Sequence, residues 1–253
     1  MDRFLNQIIC GDCLEVMKDM PDKSVDMILC DLPYGTTACK WDTIIPFEPL
    51  WEQYKRLIKD NGAIVLTASQ PFTTSLIASN MQMFKYCWIW DKKFAGNFVN
   101  TKIAPLKTYE DVVVFGSGKI KYFPQMTKRD KPIKSGKRAN SRHISGTDEV
   151  TIYQAEQKIY DTKYPTAIIN IPRRVGEKVA HPTQKPVALF EYLIKTYTNE
   201  GEIVLDNCIG SGTTAVAALN TGRFFIGIEK EPKYVEIARQ RLEQAQSQQQ
   251  LFG

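Results

Sequence analysis

The chain has 253 residues, of which 43% are hydrophobic and 24% are charged, and its formal net charge is +5. This length and composition suit one α/β domain with an embedded smaller lobe and a well-buried core. No apolar stretch approaches the length of a membrane span, and the first residues lack the pattern of a signal peptide. We therefore expect a cytoplasmic protein, whose modest positive charge permits a nucleic-acid partner without requiring one.

The cysteines predict neither a metal site nor a disulfide framework. Of the six, Cys10 and Cys13 form a CxxC pair, but no second pair completes a zinc set, since only two histidines are present. Three others, Cys30, Cys87 and Cys208, lie in or beside apolar runs, where free cysteine behaves as a small hydrophobe. Reduced thiols follow from this pattern.

Apolar runs alternate with helical periodicity and turn residues along most of the chain. The predicted strands cover residues 8–13, 25–30, 63–67, 86–90, 110–115, 203–206 and 224–229. The predicted helices cover residues 14–20, 46–59, 71–80, 186–197, 213–220 and 232–246. Because strands and helices alternate, the sequence predicts a wound, mostly parallel sheet.

The middle of the chain breaks this alternation. Residues 116–164 are rich in lysine and arginine, carry interleaved aromatic residues and show little apolar periodicity. We interpret this stretch as a basic segment inserted into one domain, whose other parts are residues 1–115 and 165–253. A solvated surface loop is the common explanation of a charge run. A long run of one sign with flanking aromatic residues favours contact with nucleic acid.

A carboxylate, a proline and an aromatic ring follow the predicted strand 25–30, in the segment Asp31-Leu32-Pro33-Tyr34-Gly35. Such a grouping can hold a planar ring that bears an amino group. The carboxylate and the carbonyl of Leu32 can accept the amino hydrogens, while the tyrosine stacks on the ring. The alternative is an ordinary strand end followed by a proline turn, with a tyrosine that only packs.

A glycine-rich turn, Gly210-Ser211-Gly212-Thr213, lies between a predicted strand and a predicted helix. A helix N-terminus preceded by glycines suits a nucleotide-like ligand. A dinucleotide site stays open, because alanine is allowed at the third glycine position, occupied here by Ala215. A phosphate-binding loop is disfavoured, because no lysine precedes Thr213. The third interpretation is a methyltransferase site, in which Glu229, at the end of the next strand, accepts the ribose hydroxyls of the cofactor.

These two segments together resemble the catalytic and cofactor-binding motifs of the amino-methyltransferases of DNA, which methylate adenine N6 or cytosine N4 with S-adenosylmethionine. The catalytic motif precedes the cofactor motif, as in the permuted arrangement called the β class. Similarity covers most of the chain outside the basic middle region. Further matching segments are Gly11-Asp12, Trp88-Ile89-Trp90-Asp91-Lys92, Lys107-Thr108-Tyr109-Glu110 and His181-Pro182-Thr183-Gln184-Lys185-Pro186.

The resemblance implies a fold and a set of site residues. The fold is an α/β, Rossmann-like, mostly parallel seven-stranded sheet with helices on both faces and an inserted target-recognition segment. The implied catalytic residues are Asp31, Leu32, Pro33 and Tyr34. The implied cofactor-binding residues are Asp12, Asp31, Thr183, Lys185, Asp206, Gly210, Ser211, Gly212, Thr213 and Glu229. The expected DNA contacts in the basic segment are Lys128, Arg129, Lys131, Lys134, Lys137 and Arg138.

The implied reaction is site-specific methylation of double-stranded DNA in a bacterial or phage-infected cell. The amino group of a stacked base cannot reach a buried methyl donor, so the target base must be flipped out of the duplex. Asp31 and the Leu32 carbonyl then accept its amino hydrogens, and Tyr34 stacks on it. No covalent enzyme intermediate is required. Positioning and local electrostatics supply most of the acceleration.

Three other functions are weighed against adenine methylation. Cytosine N4 methylation is the nearest, but the family pattern then usually begins with serine instead of the aspartate found here. A non-catalytic nucleic-acid-binding protein with a decayed site is disfavoured by the intact Asp31, Tyr34 and Glu229. A nicotinamide-dependent oxidoreductase leaves the Asp31 segment unexplained.

The sequence departs from the family pattern at two positions. Leu32 replaces the more common proline, and Cys208 replaces a phenylalanine that often packs on the cofactor adenine. Neither substitution removes a group that must touch the transferred methyl. The recognition sequence, an accompanying nuclease and the oligomeric state, a homodimer being one option, are left open.

Overall fold

The computed structural model describes residues 1–35, 42–96, 101–135, 139–143, 150–154, 158–173 and 184–252. It divides into a larger unit, Met1–Phe123 with Ala167–Gly253, and a smaller unit, Pro124–Thr166. The strands are β1 (Gln7–Cys10), β2 (Val25–Asp31), β3 (Ile58–Ala68), β4 (Phe84–Gly96), β5 (Lys107–Phe115), β6 (Thr127–Lys134), β7 (Ala139–His143), β8 (Val150–Gln154), β9 (Ile159–Lys163), β10 (Ile168–Asn170), β11 (Ile203–Asp206) and β12 (Phe224–Glu229). The helices are α1 (Cys13–Lys18), α2 (Phe47–Leu57), α3 (Phe72–Ser79), α4 (Val187–Tyr197), α5 (Thr213–Asn220) and α6 (Pro232–Phe252).

The larger unit is built on one mixed sheet in the order β1-β12-β11-β2-β3-β5-β4-β10. Every neighbouring pair is parallel except the two that involve β5, which runs antiparallel to β3 and β4. The mostly parallel sheet is therefore confirmed, but the prediction of seven strands is wrong. The additional strand, β10, has only three residues, too few for a pattern of alternating apolar residues to reveal it in the sequence.

Two apolar layers sandwich this sheet, because successive strand residues point to opposite faces. In β3, Val65 packs with one cluster, while Ile64 and Leu66 pack with the other. Helices α4, α5 and α6 contribute to the first cluster and helices α1, α2 and α3 to the second. Helices thus cover both faces, as expected from the sequence, and each strand of the centre is buried on both sides.

The ends of the strands place the functional segments. The parallel strands β1, β2, β3, β11 and β12 all end at the same edge of the sheet, and the antiparallel β5 begins there. Ligands of open parallel sheets bind at this carboxyl edge. Asp31 is the last residue of β2, Glu229 is the last residue of β12, and the glycine-rich turn follows β11.

The smaller unit starts later than the sequence suggested. Residues 116–123 belong to the larger unit, because backbone hydrogen bonds join Lys121 to Asn61 and Phe123 to Thr196. Within the smaller unit, β6 pairs antiparallel with β9 and β7 pairs antiparallel with β8. Most of β6 is exposed. Among the described residues, no helix is long and apolar enough to cross a membrane.

A buried carboxylate anchors the start of the basic stretch to the sheet. Asp26, only 2% exposed, pairs with Lys59 at 2.8 Å and Lys121 at 3.2 Å, and accepts a hydrogen bond from the Ile203 amide at 3.1 Å. Burial alone would raise the pKa of Asp26. The bonds from Lys59, Ile203 and Lys121 outweigh burial, so its pKa lies below the ordinary value.

We expect Asp26→Asn to lower the free energy of unfolding by about 2 kcal/mol, because Lys59 loses its charge-assisted hydrogen bond and Lys121 is left with Glu202 as its carboxylate partner. The matched control is Asp60→Asn, which removes an ion pair whose carboxylate is 91% exposed, and it should change stability little. Urea denaturation measures both differences.

The same comparison has a defined pH dependence. Since the folded state holds Asp26 at a lowered pKa, its ionised form stabilises the fold above the ordinary carboxyl pKa. That stabilisation is lost as the pH falls through the lowered value. The difference between wild type and Asp26→Asn should therefore stay constant down to the ordinary carboxyl pKa and shrink in more acidic solution. A difference that grew with acidity would contradict this assignment.

Candidate active site

A cavity of about 490 Å³ opens at the carboxyl edge of the sheet in the larger unit. Its wall is formed by the segments that follow β1, β2, β11 and β12, with residues from β4, β5 and the start of α4. The sequence-predicted site residues in this wall are Asp12, Asp31, Leu32, Pro33, Tyr34, Lys185, Asp206, Gly210, Ser211, Thr213 and Glu229. Residues more than 150 positions apart in the sequence thus share one cavity.

Asp31 is held on both carboxylate oxygens. Oδ1 accepts hydrogen bonds from the Tyr34 hydroxyl at 2.8 Å and from the Thr67 hydroxyl. Oδ2 accepts a hydrogen bond from Lys185 Nζ at 2.6 Å. The plane of this carboxylate is therefore fixed from two sides, at the point where β2 ends.

Tyr34 lies against the same carboxylate. Its ring stacks on Phe72 with the ring centroids 5.1 Å apart and the planes inclined by 23°. Burial and the nearby charge of Asp31 raise the pKa of Tyr34 well above its ordinary value, so the hydroxyl remains a donor. Phe72 covers one face of the ring, and Lys185 Nζ lies over the ring at 5.6 Å from its centroid.

Lys185 lies nearer to the catalytic segment than its expected role in cofactor binding suggested. Its side chain is 8% exposed and forms ion pairs with Asp31 at 2.6 Å and with Glu110 at 3.3 Å. Burial by itself would lower the pKa of Lys185, but the two carboxylates outweigh it and raise that pKa above its ordinary value. The ammonium group is consequently charged at neutral pH.

The glycine-rich turn is shaped by both of its glycines. Gly210 and Gly212 have φ angles of 51° and 86°, in the left-handed region that favours glycine. A Cβ on Gly210 would meet nothing nearer than a backbone oxygen at 3.9 Å, whereas a Cβ on Gly212 would lie 2.9 Å from the Cβ of Ala238 in α6. The Gly210 backbone is therefore open to a ligand. Gly212 is not part of the cavity wall. A glycine is required at this position because the turn packs closely against α6.

Two long-range contacts hold this turn. The Gly210 amide donates to Glu229 Oε2 at 2.9 Å, while the Glu231 amide donates to Oε1 at 2.9 Å. From α6, Arg241 Nη1 donates to the Ser211 carbonyl at 2.6 Å and to the Ser211 hydroxyl at 3.0 Å. Burial raises the pKa of Glu229 above its ordinary value, against the opposing effect of the backbone amides.

Asp12 and Asp206 carry structural contacts as well as facing the cavity. Asp12 caps the N-terminus of α1 through a hydrogen bond from the Leu14 amide at 3.0 Å. Asp206 accepts hydrogen bonds from the Thr214 hydroxyl and from the Cys208 amide, the latter at 3.0 Å. Burial raises the pKa of Asp206 to about 7, although these hydrogen bonds favour its charged form.

Several predicted residues are not part of this cavity. Lys128, Arg129, Lys131 and Lys134 lie on β6 in the smaller unit. Arg129 Nε donates to the Thr162 carbonyl of β9 at 2.8 Å, so this arginine braces the strand pair. The three remaining predicted residues, Thr183, Lys137 and Arg138, lie outside the described residues.

Sequence reasoning missed three contributors to the site. Thr67 could have been found as a hydroxyl at the end of a buried strand beside β2. Glu110 belongs to a segment that matches the family, but the motif by itself indicates no role for this residue. It reaches the cavity because β5 is antiparallel and starts at the edge where its neighbours end. The contact of Arg241 with the turn could not be predicted from the sequence, because basic residues are common on helices that are partly exposed to solvent.

The comparisons with known proteins agree with this geometry. A family model described as DNA methylase, of the N6/N4 type, matches residues 25–240, most of the chain. The chain therefore belongs to the N6-adenine and N4-cytosine DNA methyltransferases, as the sequence motifs indicated. The DNA adenine methyltransferase YhdJ of Escherichia coli is 30% identical over 261 residues, which cover 96% of this chain and 85% of that relative. Type II methyltransferase M.HpaI of Haemophilus parainfluenzae is 25% identical over 249 residues, covering 94% and 74% of the two chains.

Solved structures show the same fold. The crystal structure of the M1.HpyAVI–SAM complex has a TM-score of 0.64 at 26% identity and covers 93% of this chain and 99% of that one. The PvuII DNA methyltransferase, which is cytosine-N4-specific, has a TM-score of 0.65 at 15% identity, a likeness of fold alone, and covers 93% and 85%. The cofactor of the family is S-adenosylmethionine, as expected from the motifs.

The residues present fit this cofactor. The cavity has room for a nucleoside-sized ligand, and the Gly210 backbone can be approached closely. Glu229 presents a carboxylate in the wall beside that backbone, suited to hydroxyl donors. The wall is also acidic at Asp12 and Asp206, which suits a ligand that carries a sulfonium cation.

Asp206 leads to a prediction about pH. A cationic ligand binds better when Asp206 is ionised, so affinity for S-adenosylmethionine should fall about threefold to tenfold as the pH drops from about 8 to about 6, through the pKa near 7. Asp206→Asn should remove most of this dependence. Isothermal titration calorimetry at several pH values measures it.

S-adenosylhomocysteine is the control ligand, because it has the same amino and carboxyl groups but a neutral sulfur. Its affinity should depend less on pH than that of S-adenosylmethionine. Equal pH dependence of the two ligands, or an unchanged dependence in Asp206→Asn, would contradict this prediction.

Proposed function

We propose that this protein is a site-specific DNA methyltransferase that transfers the methyl group of S-adenosylmethionine to N6 of an adenine flipped out of the duplex. The observation that carries the proposal is Asp31, a carboxylate held by Thr67, Tyr34 and Lys185 in the wall of the cavity that also contains Glu229. The relative of 30% identity that is named a DNA adenine methyltransferase supports adenine as the target.

Asp31 and the Leu32 carbonyl are assigned to the amino group of the base. Both residues line the cavity, and both groups accept hydrogen bonds. Accepting the two amino hydrogens orients the nitrogen lone pair toward the methyl donor. When bound, S-adenosylmethionine supplies an electrophilic methyl group on its sulfonium. The amino nitrogen would take this methyl group, the carbon–sulfur bond would break to leave a neutral thioether, and one amino proton would leave to solvent.

Tyr34 is assigned to stacking on the flipped base. Since Phe72 already covers one face of its ring, the base takes the other face. Base–aromatic stacking contributes about 1–3 kcal/mol. The Tyr34 hydroxyl now occupies Asp31 Oδ1, so the arriving amino group shares or replaces that hydrogen bond.

The cofactor is assigned to the other side of the cavity. Glu229 accepts the ribose hydroxyls, and the backbone at Gly210, Ser211 and Thr213 borders the amino-acid end at the N-terminus of α5. Asp12 and Asp206 complete the acidic wall. Lys185 and Thr183 were expected to join this set. We propose that Lys185 acts on the catalytic carboxylate, because it donates to Asp31.

The basic segment of the smaller unit is assigned to DNA. Lys128, Lys131 and Lys134 are exposed on β6, where they can reach phosphates. Phosphate contacts by lysine position a protein on DNA without reading its sequence. Arg129 donates a hydrogen bond to the Thr162 carbonyl and so stabilises the β6–β9 pair on which these lysines lie.

The first test is Asp31→Asn, which keeps the size of the side chain and removes its charge. Methyl transfer to mixed-sequence DNA should fall at least about a hundredfold, because the charged acceptor of the amino group is removed. S-adenosylmethionine affinity, measured by calorimetry, should stay within about twofold. The matched control is Asp19→Asn, an exposed aspartate in a surface ion pair, which should retain full activity.

Nucleoside mass spectrometry of the methylated DNA identifies the target atom. N6-methyladenine is expected. N4-methylcytosine without N6-methyladenine would refute the choice of base and leave the reaction class standing. Near wild-type turnover of Asp31→Asn would refute the catalytic assignment.

The second test separates DNA binding from chemistry. Changing Lys128, Lys131 and Lys134 together to Gln should weaken DNA binding and flatten its salt dependence, by about 0.9 in slope for each phosphate that is no longer neutralised. The control changes Lys18, Lys23 and Lys55, three exposed lysines of the larger unit, to Gln. Fluorescence anisotropy over a range of salt concentrations compares the two variants. If the salt dependence of DNA binding had the same slope in both variants, the basic segment would be interpreted as a solvated surface loop.

A further inference from the structure

Four charged side chains of alternating sign run from β4, next to the edge strand β10, to the Asp31 carboxylate at the end of β2. Lys92 pairs with Glu110 Oε1 at 3.0 Å, Glu110 Oε2 lies 3.3 Å from Lys185, and Lys185 pairs with Asp31 Oδ2 at 2.6 Å. We call these four residues the charge chain. Lys92 lies on β4 and Glu110 on β5. Lys185 lies two residues before the start of α4, and Asp31 ends β2.

All four members are sheltered from solvent. Their side chains are 12%, 17%, 8% and 26% exposed for Lys92, Glu110, Lys185 and Asp31, respectively. Lys185 is the most buried member, and a buried ammonium group is costly unless carboxylates surround it. Two carboxylates and two ammonium groups leave the charge chain formally neutral.

Glu110 determines how Lys185 divides its charge. Burial alone would raise the pKa of Glu110, but the charges of Lys185 and Lys92 lower it below the ordinary value. The carboxylate is therefore ionised and competes with Asp31 for the same ammonium group. Without Glu110, Lys185 would have Asp31 as its single carboxylate partner in the charge chain and would neutralise it more completely.

This division matters because Asp31 must remain an acceptor. Its Oδ2 is bound by Lys185, and its Oδ1 is bound by Thr67 and Tyr34. A carboxylate that gives much of its charge to one ammonium group is a weaker acceptor toward a neutral amino group. A shift of Lys185 toward Asp31 would also turn the carboxylate plane that Thr67 holds.

We infer that Glu110 is a positioning residue for methyl transfer, which acts through Lys185 to fix the orientation and the charge of Asp31. This inference rests on the proposed function, because it assumes that Asp31 accepts the amino group of the target base. It assigns Glu110 no contact with the cofactor or with the base. Its partner Lys92 holds the outer end of the charge chain.

The adjacent residue provides a matched control. Asp111 is also a buried carboxylate on β5, but as the next residue of the strand it points to the opposite face, where it accepts a hydrogen bond from Thr73 at 2.7 Å. Asp111→Asn removes a buried charge of the same strand without touching the charge chain. The kcat of this variant shows how much activity is lost when a buried carboxylate outside the charge chain is removed.

The experiment compares wild type, Glu110→Gln, Glu110→Asp and Asp111→Asn in steady-state methylation. Glu110→Gln should lower kcat about 10- to 100-fold, because it removes the charge that pairs with Lys185 at 3.3 Å, with KM for DNA and S-adenosylmethionine affinity within about twofold. Glu110→Asp keeps the charge and should recover a large part of kcat. Asp111→Asn should keep kcat, and melting temperatures report how far each variant is destabilised.

A double-mutant cycle with Lys185→Met tests the path of the effect. If Glu110 acts through Lys185, the losses in kcat from Glu110→Gln and Lys185→Met are not additive, and the double variant is little worse than Lys185→Met. Additive losses would overturn the inference.

Other outcomes also decide the question. An unchanged kcat in Glu110→Gln with a lowered melting temperature would make Glu110 purely structural. A weakened S-adenosylmethionine affinity would place Glu110 in contact with the cofactor, and either result overturns the inference. Failure of the proposed function is distinguishable, because wild type itself would then methylate neither adenine nor cytosine.

Discussion

The ion pair between Asp31 and Lys185 joins two parts of the chain that are 154 residues apart. Both partners leave water when the fold forms, and the cost of that desolvation is offset only because each has further partners. Thr67 and Tyr34 also donate hydrogen bonds to Asp31, and Glu110 also forms an ion pair with Lys185. Since the carbonyl of Lys185 accepts a hydrogen bond from Thr213, the same residue also ties the end of β2 to the start of α5.

The strand order explains how the permuted chain still builds one site. Strands β11 and β12 come last in the sequence but lie between β1 and β2 in the sheet. Parallel pairing brings the carboxyl ends of all these strands to one edge of the sheet. The same site can therefore form whichever segment comes first in the sequence. The reversed strand β5 contributes a residue from near its beginning, whereas the parallel strands contribute residues from their ends. It starts at this edge and thereby carries Glu110 into the cavity.

Two parts of the cofactor side have separate physical tasks. Gly210 keeps its backbone open toward the cavity, whereas Gly212 lets the turn pack on Ala238 of α6. Arg241, one helical turn beyond Ala238 in the same helix, binds the Ser211 carbonyl. Helix α6 thus holds the turn by packing and by hydrogen bonds, and the Gly210 amide of the turn is bound by the Glu229 carboxylate. A wall fixed in this way needs little rearrangement to bind a ligand, which is the basis of preorganised electrostatic catalysis.

The sequence by itself determined the reaction class, the cofactor and the mostly parallel sheet. Short motifs such as Asp31 to Tyr34 and Gly210 to Thr213 carry local chemistry, and apolar periodicity reports strands and helices directly. Only the tertiary structure decided which side chains meet. It paired Lys185 with Asp31, brought Thr67 and Glu110 into contact with that pair, placed residues 116–123 in the larger unit and revealed β10 as an eighth strand of the sheet. The physical reason is that ion pairs and hydrogen bonds between distant segments depend on strand order and direction, which no local pattern of residues records.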